Sequence, residues 1–201
     1  MKLGLLSDIH EETELLRAAL DRMERQRVDR VIVLGDVFCT GERIDETCRL
    51  LAETGAIGVW GNHDFGLCHE PTDTVRAKYA AGVLDFMTTL QPHLEIGECL
   101  FTHVEPWLDP VSVMDLWYFG GPPESPERLG RVFASTGRRI IFAGHFHRWM
   151  LATPAGGQTW CGEHPVRLRS DERYFVVIGA LCDGHWAVFD TETGELAPGL
   201  L

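Results

Sequence analysis

The sequence predicts an α/β protein in which two mixed β-sheets pack face to face, with helices on their outer sides. The first half alternates short apolar segments with amphipathic helical patterns, which is typical of parallel strands joined by right-handed crossovers. The last quarter has short apolar segments separated by turns and no helical pattern, which indicates antiparallel strands. Because the 201 residues include 45% hydrophobic residues and no visible linker, we expect one domain over residues 1–201.

The first half contains three predicted strands and two predicted helices. In the first helix, Leu16, Ala19 and Met23 recur on one face at helical spacing. The apolar runs between the helices show no polar alternation, as expected of strands covered on both faces. In chain order the elements are a strand over 3–6, a helix over 13–27, a strand over 31–34, a helix over 45–53 and a strand over 57–60.

The second half has a less regular pattern. Ser125 is a predicted helix N-cap with Pro126 at the first helical position, and Gly137 is expected to end that helix. Two more helices are expected over 73–81 and 83–90. Strands are expected over 99–102, 139–143, 149–152, 166–168, 174–178 and 186–189.

Charge and cysteine usage restrict the function and the location. The formal net charge is -12, so binding to nucleic-acid backbones or to an anionic membrane is disfavoured. The six cysteines form no C-x-x-C pair, and neither a signal-peptide pattern nor a long apolar run is present. We therefore expect a cytoplasmic protein with free thiols.

Metal-binding side chains follow five of the predicted strands, each just past the carboxyl end. In open α/β sheets this edge is where ligands bind. Each residue alone has a structural alternative: Asp36 could cap a helix or form a turn, and His103 could be a hydrogen-bonded core histidine. The ordered set at strand ends favours a shared site. The candidates are Asp8, His10, Asp36, Asn62, His63, Asp64, His103, His145 and His147.

The residue types indicate which metals would bind. Histidine, aspartate and asparagine together suit borderline divalent ions such as Zn, Mn, Fe or Ni. Leaving out His63 and Asp64, seven candidate ligands remain, which exceeds the four of a structural zinc site. Seven ligands suffice for two four-ligand sites if one carboxylate bridges them, and paired metals of this kind hydrolyse phosphate esters.

The motifs D-x-H, G-D, G-N-H-D, a single H and G-H-x-H occur in this order over residues 1 to about 190. This pattern resembles the calcineurin-like metallophosphoesterases, and the compact bacterial phosphodiesterases among them are nearest in length. The resemblance implies a four-layer α-β-β-α sandwich with the metal site at the carboxyl ends of the strands. It also implies an enzyme that hydrolyses small phosphodiesters or phosphomonoesters by means of a metal-bridging hydroxide.

The resemblance further implies a role for each candidate. The first metal would be held by Asp8, His10, Asp36 and His147, and the second by Asp36, Asn62, His103 and His145, with Asp36 bridging. His63 would contact the scissile phosphate or protonate the leaving group. Asp64 would orient His63 and favour its charged form.

Two departures from the family pattern bear on the substrate. Many relatives have Gly-Asn where this chain has Glu11 and Glu12. These acids could be solvated residues of a first helical turn, or they could add negative charge beside the phosphate pocket. Thr40 stands where protein phosphatases of the superfamily have a phosphate-binding arginine, which disfavours a protein phosphatase and diadenosine tetraphosphatases built on that arginine.

Other conspicuous side chains have structural interpretations. We expect His69, His93, His164 and His185 to be surface or packing residues, and Cys39 and Cys68 to be packing residues rather than ligands. The segment with Trp107, Trp117, Tyr118 and Phe119 is expected to form core or a lid, and the alternative is a stacking surface for a nucleobase.

The alternatives to a small-molecule phosphoesterase are a nucleotide or protein phosphatase, a nuclease of the DNA-repair type, and a catalytically silent protein-binding scaffold such as the retromer subunit with this fold. The acidic charge and the short chain disfavour a nuclease. The intact metal-binding motifs disfavour a scaffold. For the enzyme we expect aryl phosphodiesters to be better substrates than matched monoesters.

Overall fold

The computed structural model describes residues 1–201 as twelve β-strands, seven α-helices and one 3₁₀ helix. The strands are β1 (Lys2–Leu6), β2 (Arg30–Leu34), β3 (Ile57–Val59), β4 (Leu94–Ile96), β5 (Cys99–Phe101), β6 (Ile140–Ala143), β7 (Met150–Thr153), β8 (Gly156–Gly157), β9 (Val166–Arg167), β10 (Tyr174–Val177), β11 (His185–Asp190) and β12 (Glu195–Leu200). The helices are α1 (Thr13–Arg25), α2 (Ile44–Glu53), α3 (Phe65–Cys68), α4 (Asp73–Lys78), α5 (Ala81–Met87), α6 (Val113–Leu116) and α7 (Pro126–Ser135), and the 3₁₀ helix spans Leu181–Asp183.

The strands form two mixed sheets, as predicted, and each sheet has six strands. The first sheet has the order β3-β2-β1-β11-β12-β9, in which β1, β2 and β3 are parallel and the later strands are antiparallel. The second has the order β4-β5-β6-β10-β7-β8, in which β5, β6 and β10 are parallel. Both sheets therefore send several carboxyl ends of parallel strands to one edge.

The two sheets share one apolar core, and helices cover their outer faces. Leu3 and Leu5 of β1 point into the same buried cluster as Phe101 of β5, and Phe142 of β6 lies 5.2 Å from Phe189 of β11 between ring centroids. A second cluster joins the outer face of the first sheet to α1, α2 and α5. A third joins the second sheet to α7. This arrangement is the predicted α-β-β-α sandwich.

Several predicted boundaries are wrong for local reasons. Helix α1 ends at Arg25 because Arg27 adopts a left-handed conformation with φ +56°. Ser125 and Pro126 do begin α7, but that helix ends at Ser135 because Thr136 is extended, so Gly137 does not end it. The helices predicted over 73–81 and 83–90 are α4 and α5, with the break after Lys78.

The topology of the last quarter also departs from the prediction. Strand β10 inserts between β6 and β7 and runs parallel to β6, so this region is not wholly antiparallel. The edge strands β4 and β8 and the terminal strand β12 were not expected from the sequence. None of the helices is long and apolar enough to cross a lipid bilayer.

Candidate metal centre and active site

The predicted site residues meet where the carboxyl ends of β1, β2, β3, β5 and β6 converge. Asp8 and His10 follow β1, Asp36 follows β2, and His103 follows β5. Asn62 and His63 follow β3, and His145 and His147 follow β6. All seven predicted ligands contribute a nitrogen or oxygen to a single cluster that contains groups from both sheets.

Backbone strain is concentrated in these connections. Eight residues other than glycine have positive φ, and five of them are predicted ligands: Asp8, His10, Asp36, His145 and His147. Such conformations cost on the order of 1–3 kcal/mol each and persist where the surrounding structure enforces them, as at functional sites. Gly61 permits the tight packing, because a Cβ atom there would lie 2.1 Å from Oδ1 of Asp36.

The first set of donor atoms lies between β1, β2 and β6. Nε2 of His10 is 3.3 Å from Nε2 of His147, which is in turn 3.4 Å from Oδ1 of Asp8. Oδ2 of Asp36 lies 3.8 Å from Nε2 of His10. The Asp8 carboxylate is oriented by the Ser7 hydroxyl, which donates to Oδ2 at 2.5 Å, and by the backbone N–H of His145.

The second set lies between β2, β3, β5 and β6 and shares an atom with the first. Oδ2 of Asp36 is 3.4 Å from Nε2 of His103. Oδ1 of Asn62 is 2.9 Å from that same nitrogen and 3.0 Å from Nδ1 of His145. The other Asp36 oxygen, Oδ1, accepts the backbone N–H of His63 at 2.9 Å. One carboxylate oxygen therefore stands between the two sets.

The chemistry of these donors fits divalent ions. Nδ1 of His103 lies 2.7 Å from the Leu34 carbonyl and Nδ1 of His10 lies 3.3 Å from the Phe38 carbonyl. A carbonyl accepts only, so each Nδ1 carries a proton and each Nε2 is the nitrogen that faces the cluster and would ligate an ion in its unprotonated form. Zn–N bonds of about 2.0–2.1 Å place neighbouring ligand atoms about 3.0–3.4 Å apart, which matches most of the observed spacings. Nε2 of His145 is buried without a hydrogen-bond partner.

The electrostatics of the cluster favour added positive charge. Hydrogen bonding to Asp8 raises the pKa of His147 to about 10. Burial opposes protonation of His103, yet the neighbouring Asp36 charge raises its pKa to about 9. Burial likewise opposes ionisation of Asp36, but His103 holds the pKa of this carboxyl well below its usual range. The ionised carboxylates thus stabilise cations at this edge in a protein of net charge -12.

His63 stands beside the cluster, and Asp64 forms no hydrogen bond or ion pair with its ring. The His63 ring packs edge-on against His10, 4.9 Å away between ring centroids, and lies at a tilt of 51° to the Trp117 ring, 5.1 Å away. Asp64 is fully buried, and its two oxygens accept the backbone N–H groups of Phe38 and Gly61 at 2.8 and 2.9 Å. The predicted orienting contact between Asp64 and His63 is therefore not formed, because Asp64 holds the turn after β3 against the loop after β2.

Glu11 has neither of the roles expected for it. Its side chain is 5% exposed, and its carboxylate accepts the backbone N–H groups of Cys39, Gly41 and Arg43 at 2.7–2.8 Å. It is thus neither a solvated acid nor a charge directed into the phosphate pocket. Its φ of +62° is a conformation that suits glycine, the residue common at this position in the family pattern. Only Glu12 is exposed, directly before α1.

The cysteines give a mixed outcome. Cys68 is buried as predicted, but Cys39 is exposed and is not a packing residue. Cys182 was not expected at the site, yet its Sγ is 3.7 Å from Nδ1 of His147. Because Cys182 lies in the 3₁₀ helix and belongs to no motif, no sequence signal pointed to it. Its contact directs Nε2 of His147 towards Asp8 and His10.

The remaining histidines lie away from the metal-binding cluster. His93 and His164 are exposed, whereas His69 packs against Trp60 and Phe65, and His185 packs against Trp149. These positions agree with the surface and packing roles expected for them. None of the four supplies a ligand to the cluster described above.

The aromatic segment before α7 divides into core and surface residues. Trp107 and Tyr118 are partly buried and pack edge to face, 5.4 Å apart. Trp117 and Phe119 are exposed and border a cavity of about 330 Å³ that is also lined by His63, His145 and other cluster residues. The cavity places an aromatic surface beside the predicted metal ligands.

Comparison with protein families agrees with this site. The family model of the calcineurin-like phosphoesterase superfamily domain matches residues 1–188. The chain belongs to this superfamily. Metal-dependent phosphoesterases characterise this family and the solved structures that resemble the chain, and the chain is an enzyme of the phosphoric ester hydrolase class. The matched range includes every predicted ligand.

Relatives and solved structures extend the comparison. An uncharacterised protein of Methanocaldococcus jannaschii is 22% identical over 202 residues, which cover 89% of this chain and 75% of the relative. The crystal structure of a metallophosphoesterase from Sphaerobacter thermophilus matches with a TM-score of 0.80 at 19% identity and covers 100% of this chain and 88% of its own. An archaeal phosphodiesterase matches with a TM-score of 0.57 at 18% identity and 100% coverage of both chains. These likenesses show the same fold.

Proposed function

We propose that this chain is a dinuclear metal-dependent phosphoesterase that hydrolyses small phosphodiesters or phosphomonoesters. The observation that carries the proposal is the position of Oδ2 of Asp36, 3.8 Å from a nitrogen of the first donor set and 3.4 Å from a nitrogen of the second. A bridging carboxylate of this kind allows seven ligands to serve two ions. The identity of the ions is proposed from ligand chemistry as Mn, Zn, Fe or Ni.

The proposed ligands form two overlapping groups. Asp8, His10, Asp36 and His147 would hold the first ion, and Asp36, Asn62, His103 and His145 the second. When bound, the two ions would supply a water-derived nucleophile near neutral pH and offset the charge of the phosphate. The carbonyls of Leu34 and Phe38 would keep two of the histidine rings in the ligating tautomer.

His63 is the proposed general acid. It follows the ligand Asn62 directly, borders the cavity, and is not engaged by Asp64, so its ring can approach a leaving-group oxygen. Among the residues that line this cavity there is no lysine or arginine. Without a cationic side chain to bind the second negative charge of a monoester dianion, the site favours a diester monoanion. The expected preference for aryl phosphodiesters therefore depends on the residues that line the cavity and not on Glu11.

The partners and the location are proposed on the same basis. The net charge of -12 supports a small phosphoester as substrate and argues against binding to a nucleic-acid backbone or to a membrane surface. All six cysteines are free thiols, which is compatible with the proposed cytoplasmic location. The assembled ligand cluster favours an enzyme over a silent scaffold.

The test combines metal analysis with kinetics. Protein loaded separately with Mn²⁺, Zn²⁺, Fe²⁺ or Ni²⁺ should bind two ions per chain and hydrolyse 4-nitrophenyl mono- and diesters. Asp36→Asn should lower the occupancy of both ions and abolish most turnover, whereas Asp21→Asn, on the exposed side of α1, should behave as wild type. Full activity with a single bound ion would contradict the shared carboxylate. Two bound ions without hydrolysis of any ester would contradict the enzymatic proposal.

A further inference from the structure

Exposed apolar side chains are concentrated beside the metal centre. Seven large hydrophobic residues of the chain are exposed, and five of them lie between positions 111 and 119. Trp117 is 48% exposed and Phe119 is 58% exposed. Exposed aromatic rings grouped in this way mark binding surfaces, because burying them against a ligand releases their hydrating water.

The two exposed rings stand directly over proposed site residues. Phe119 stacks on His145 with ring centroids 4.3 Å apart and an angle of 24° between the ring planes. The ring centroids of Trp117 and His63 are 5.1 Å apart. Both rings border the cavity of about 330 Å³ that contains Asp36 and Asn62. A phosphate held at the metal centre would thus place one of its ester groups next to an aromatic wall formed by Trp117 and Phe119.

The wall is held in place by the residues between and behind the exposed rings. Along this segment Leu116 is buried and Tyr118 is partly buried, so the inward side chains alternate with Trp117 and Phe119. The Arg128 guanidinium lies 5.2 Å from the Tyr118 ring centroid and donates to the carbonyl of Gly121.

The Arg128 side chain is itself held in position by a buried carboxylate. It is buried and forms an ion pair with the fully buried Glu105, with Nε donating to Oε1 at 2.6 Å. On the other side of the segment, the Trp60 indole N–H donates to the carbonyl of Pro110 at 2.9 Å. The exposed rings are therefore presented by an anchored backbone, which reduces the entropy lost when a ligand binds.

We propose that Trp117 and Phe119 form a stacking subsite for a planar ring, so that the preferred substrates are phosphodiesters in which the ester group that is not the leaving group comes from a nucleoside or an aryl alcohol. This inference rests on the proposed phosphoesterase function. A flat ring suits the site because stacking needs only a π-face and no specific hydrogen bonds, and Trp117 and Phe119 both present aromatic rings at the cavity. The phosphate would bind at the metal centre while the ring packs on the wall.

The first test compares esters that share one leaving group. Thymidine 5′-(4-nitrophenyl phosphate), phenyl 4-nitrophenyl phosphate and ethyl 4-nitrophenyl phosphate all release 4-nitrophenolate. The wild-type kcat/KM should favour the two ring-bearing esters over the ethyl ester, and Trp117→Ala and Phe119→Ala should each reduce that ratio by about 10-fold. Met114→Ala is the matched control, because Met114 is 81% exposed in the same segment but does not line the cavity.

The outcomes separate the two proposals and the two ring types. An advantage for the thymidine ester alone supports a nucleobase, and an equal advantage for the phenyl ester supports any planar ring. A ratio that neither substitution changes would overturn the stacking subsite while leaving the phosphoesterase proposal intact. If the apolar surface instead serves a protein contact, sedimentation should show an association that Trp117→Ala abolishes with the ester ratio unchanged, which also overturns the subsite.

A second measurement does not depend on turnover. Trp117 is the only exposed tryptophan of the six, so stacking of an added nucleoside monophosphate on metal-loaded protein should quench its fluorescence. Trp117→Phe should remove the quench but keep the affinity, measured by calorimetry, within about 3-fold, whereas Trp117→Ala should weaken it by about 10-fold. Binding that is equally tight in the alanine variant would contradict the proposal, even for a protein that hydrolyses none of the three esters.

Discussion

Glu11 is neither a solvated acid nor a charge beside the phosphate pocket, the two roles inferred for it from the sequence, and a substitution there can distinguish all three roles. Its buried carboxylate accepts three backbone N–H groups of the loop between Asp36 and α2, at 2.7–2.8 Å. This loop directly follows a proposed ligand of both metals. Glu11 is therefore expected to stabilise the fold and to shape the site without touching the substrate.

The magnitude follows from the three hydrogen bonds and the backbone conformation. A hydrogen bond to a charged group contributes about 1.5–3 kcal/mol, and water can replace part of that here because the amides are only partly buried. We therefore expect Glu11→Ala to lower the free energy of unfolding by about 3–5 kcal/mol. Glu11→Gly should cost about 1 kcal/mol less, since glycine relieves the strain of φ +62°. Glu12→Ala, at an exposed position, should change it by less than about 0.5 kcal/mol.

The assay is urea denaturation of the metal-free protein, followed by kinetics of the folded variants. If the Glu11 carboxylate only stabilises the loop, Glu11→Gly should be less destabilised than Glu11→Ala. Both variants should change monoester and diester turnover in the same proportion. If Glu11→Gly were as stable as wild type and selectively faster on monoesters, the carboxylate would be acting as charge in the phosphate pocket. That result would refute the role derived from the hydrogen bonds.

Three further outcomes are expected. His63→Ala should retain two bound ions by elemental analysis and lose about 10²–10⁴-fold in turnover, and release of metal would show that His63 is a ligand. Cys182→Ala should weaken the binding of one of the two ions by about 10-fold in a metal titration because Nδ1 of His147 loses its contact with the thiol and keeps only the more distant Asp183 carboxylate, while Cys161→Ala, at an exposed cysteine, should leave both affinities unchanged. Arg128→Met should destabilise the fold by about 3–5 kcal/mol by leaving Glu105 buried and unpaired, and adding Glu105→Leu should recover most of that loss; equal stability of the single and double variants would argue against this cause.

The cluster of metal-binding side chains was predictable because strand direction places it. Parallel strands have their carboxyl ends at one edge, so polar residues just after several apolar runs must meet there whatever the surrounding loops do. Asp8, Asp36 and His145 follow this rule. Likewise, Ser125 and Pro126 specify the start of α7 locally, through a cap hydrogen bond and a preset φ.

Pairing between distant segments was not predictable in the same way. The apolar pattern of β10 is the same whichever neighbour it has, and its parallel alignment with β6 depends on the path of the whole last quarter. The end of α7 at Ser135, despite Gly137, shows that a glycine permits a helix end without imposing one.

The sequence by itself determined the layered fold and the ligand types, because both depend on periodic apolar patterns and on residues next to strand ends. Only the tertiary structure decided what Glu11, Asp64 and Cys182 contact, since all of their hydrogen-bond partners except Gly61 lie 26 to 35 positions away along the chain. Only the tertiary structure also decided that Trp117 and Phe119 face the cavity. A carboxylate or an aromatic ring has the same local preferences whether it meets backbone amides, an imidazole or water, so its role depends on which distant groups the fold brings to it.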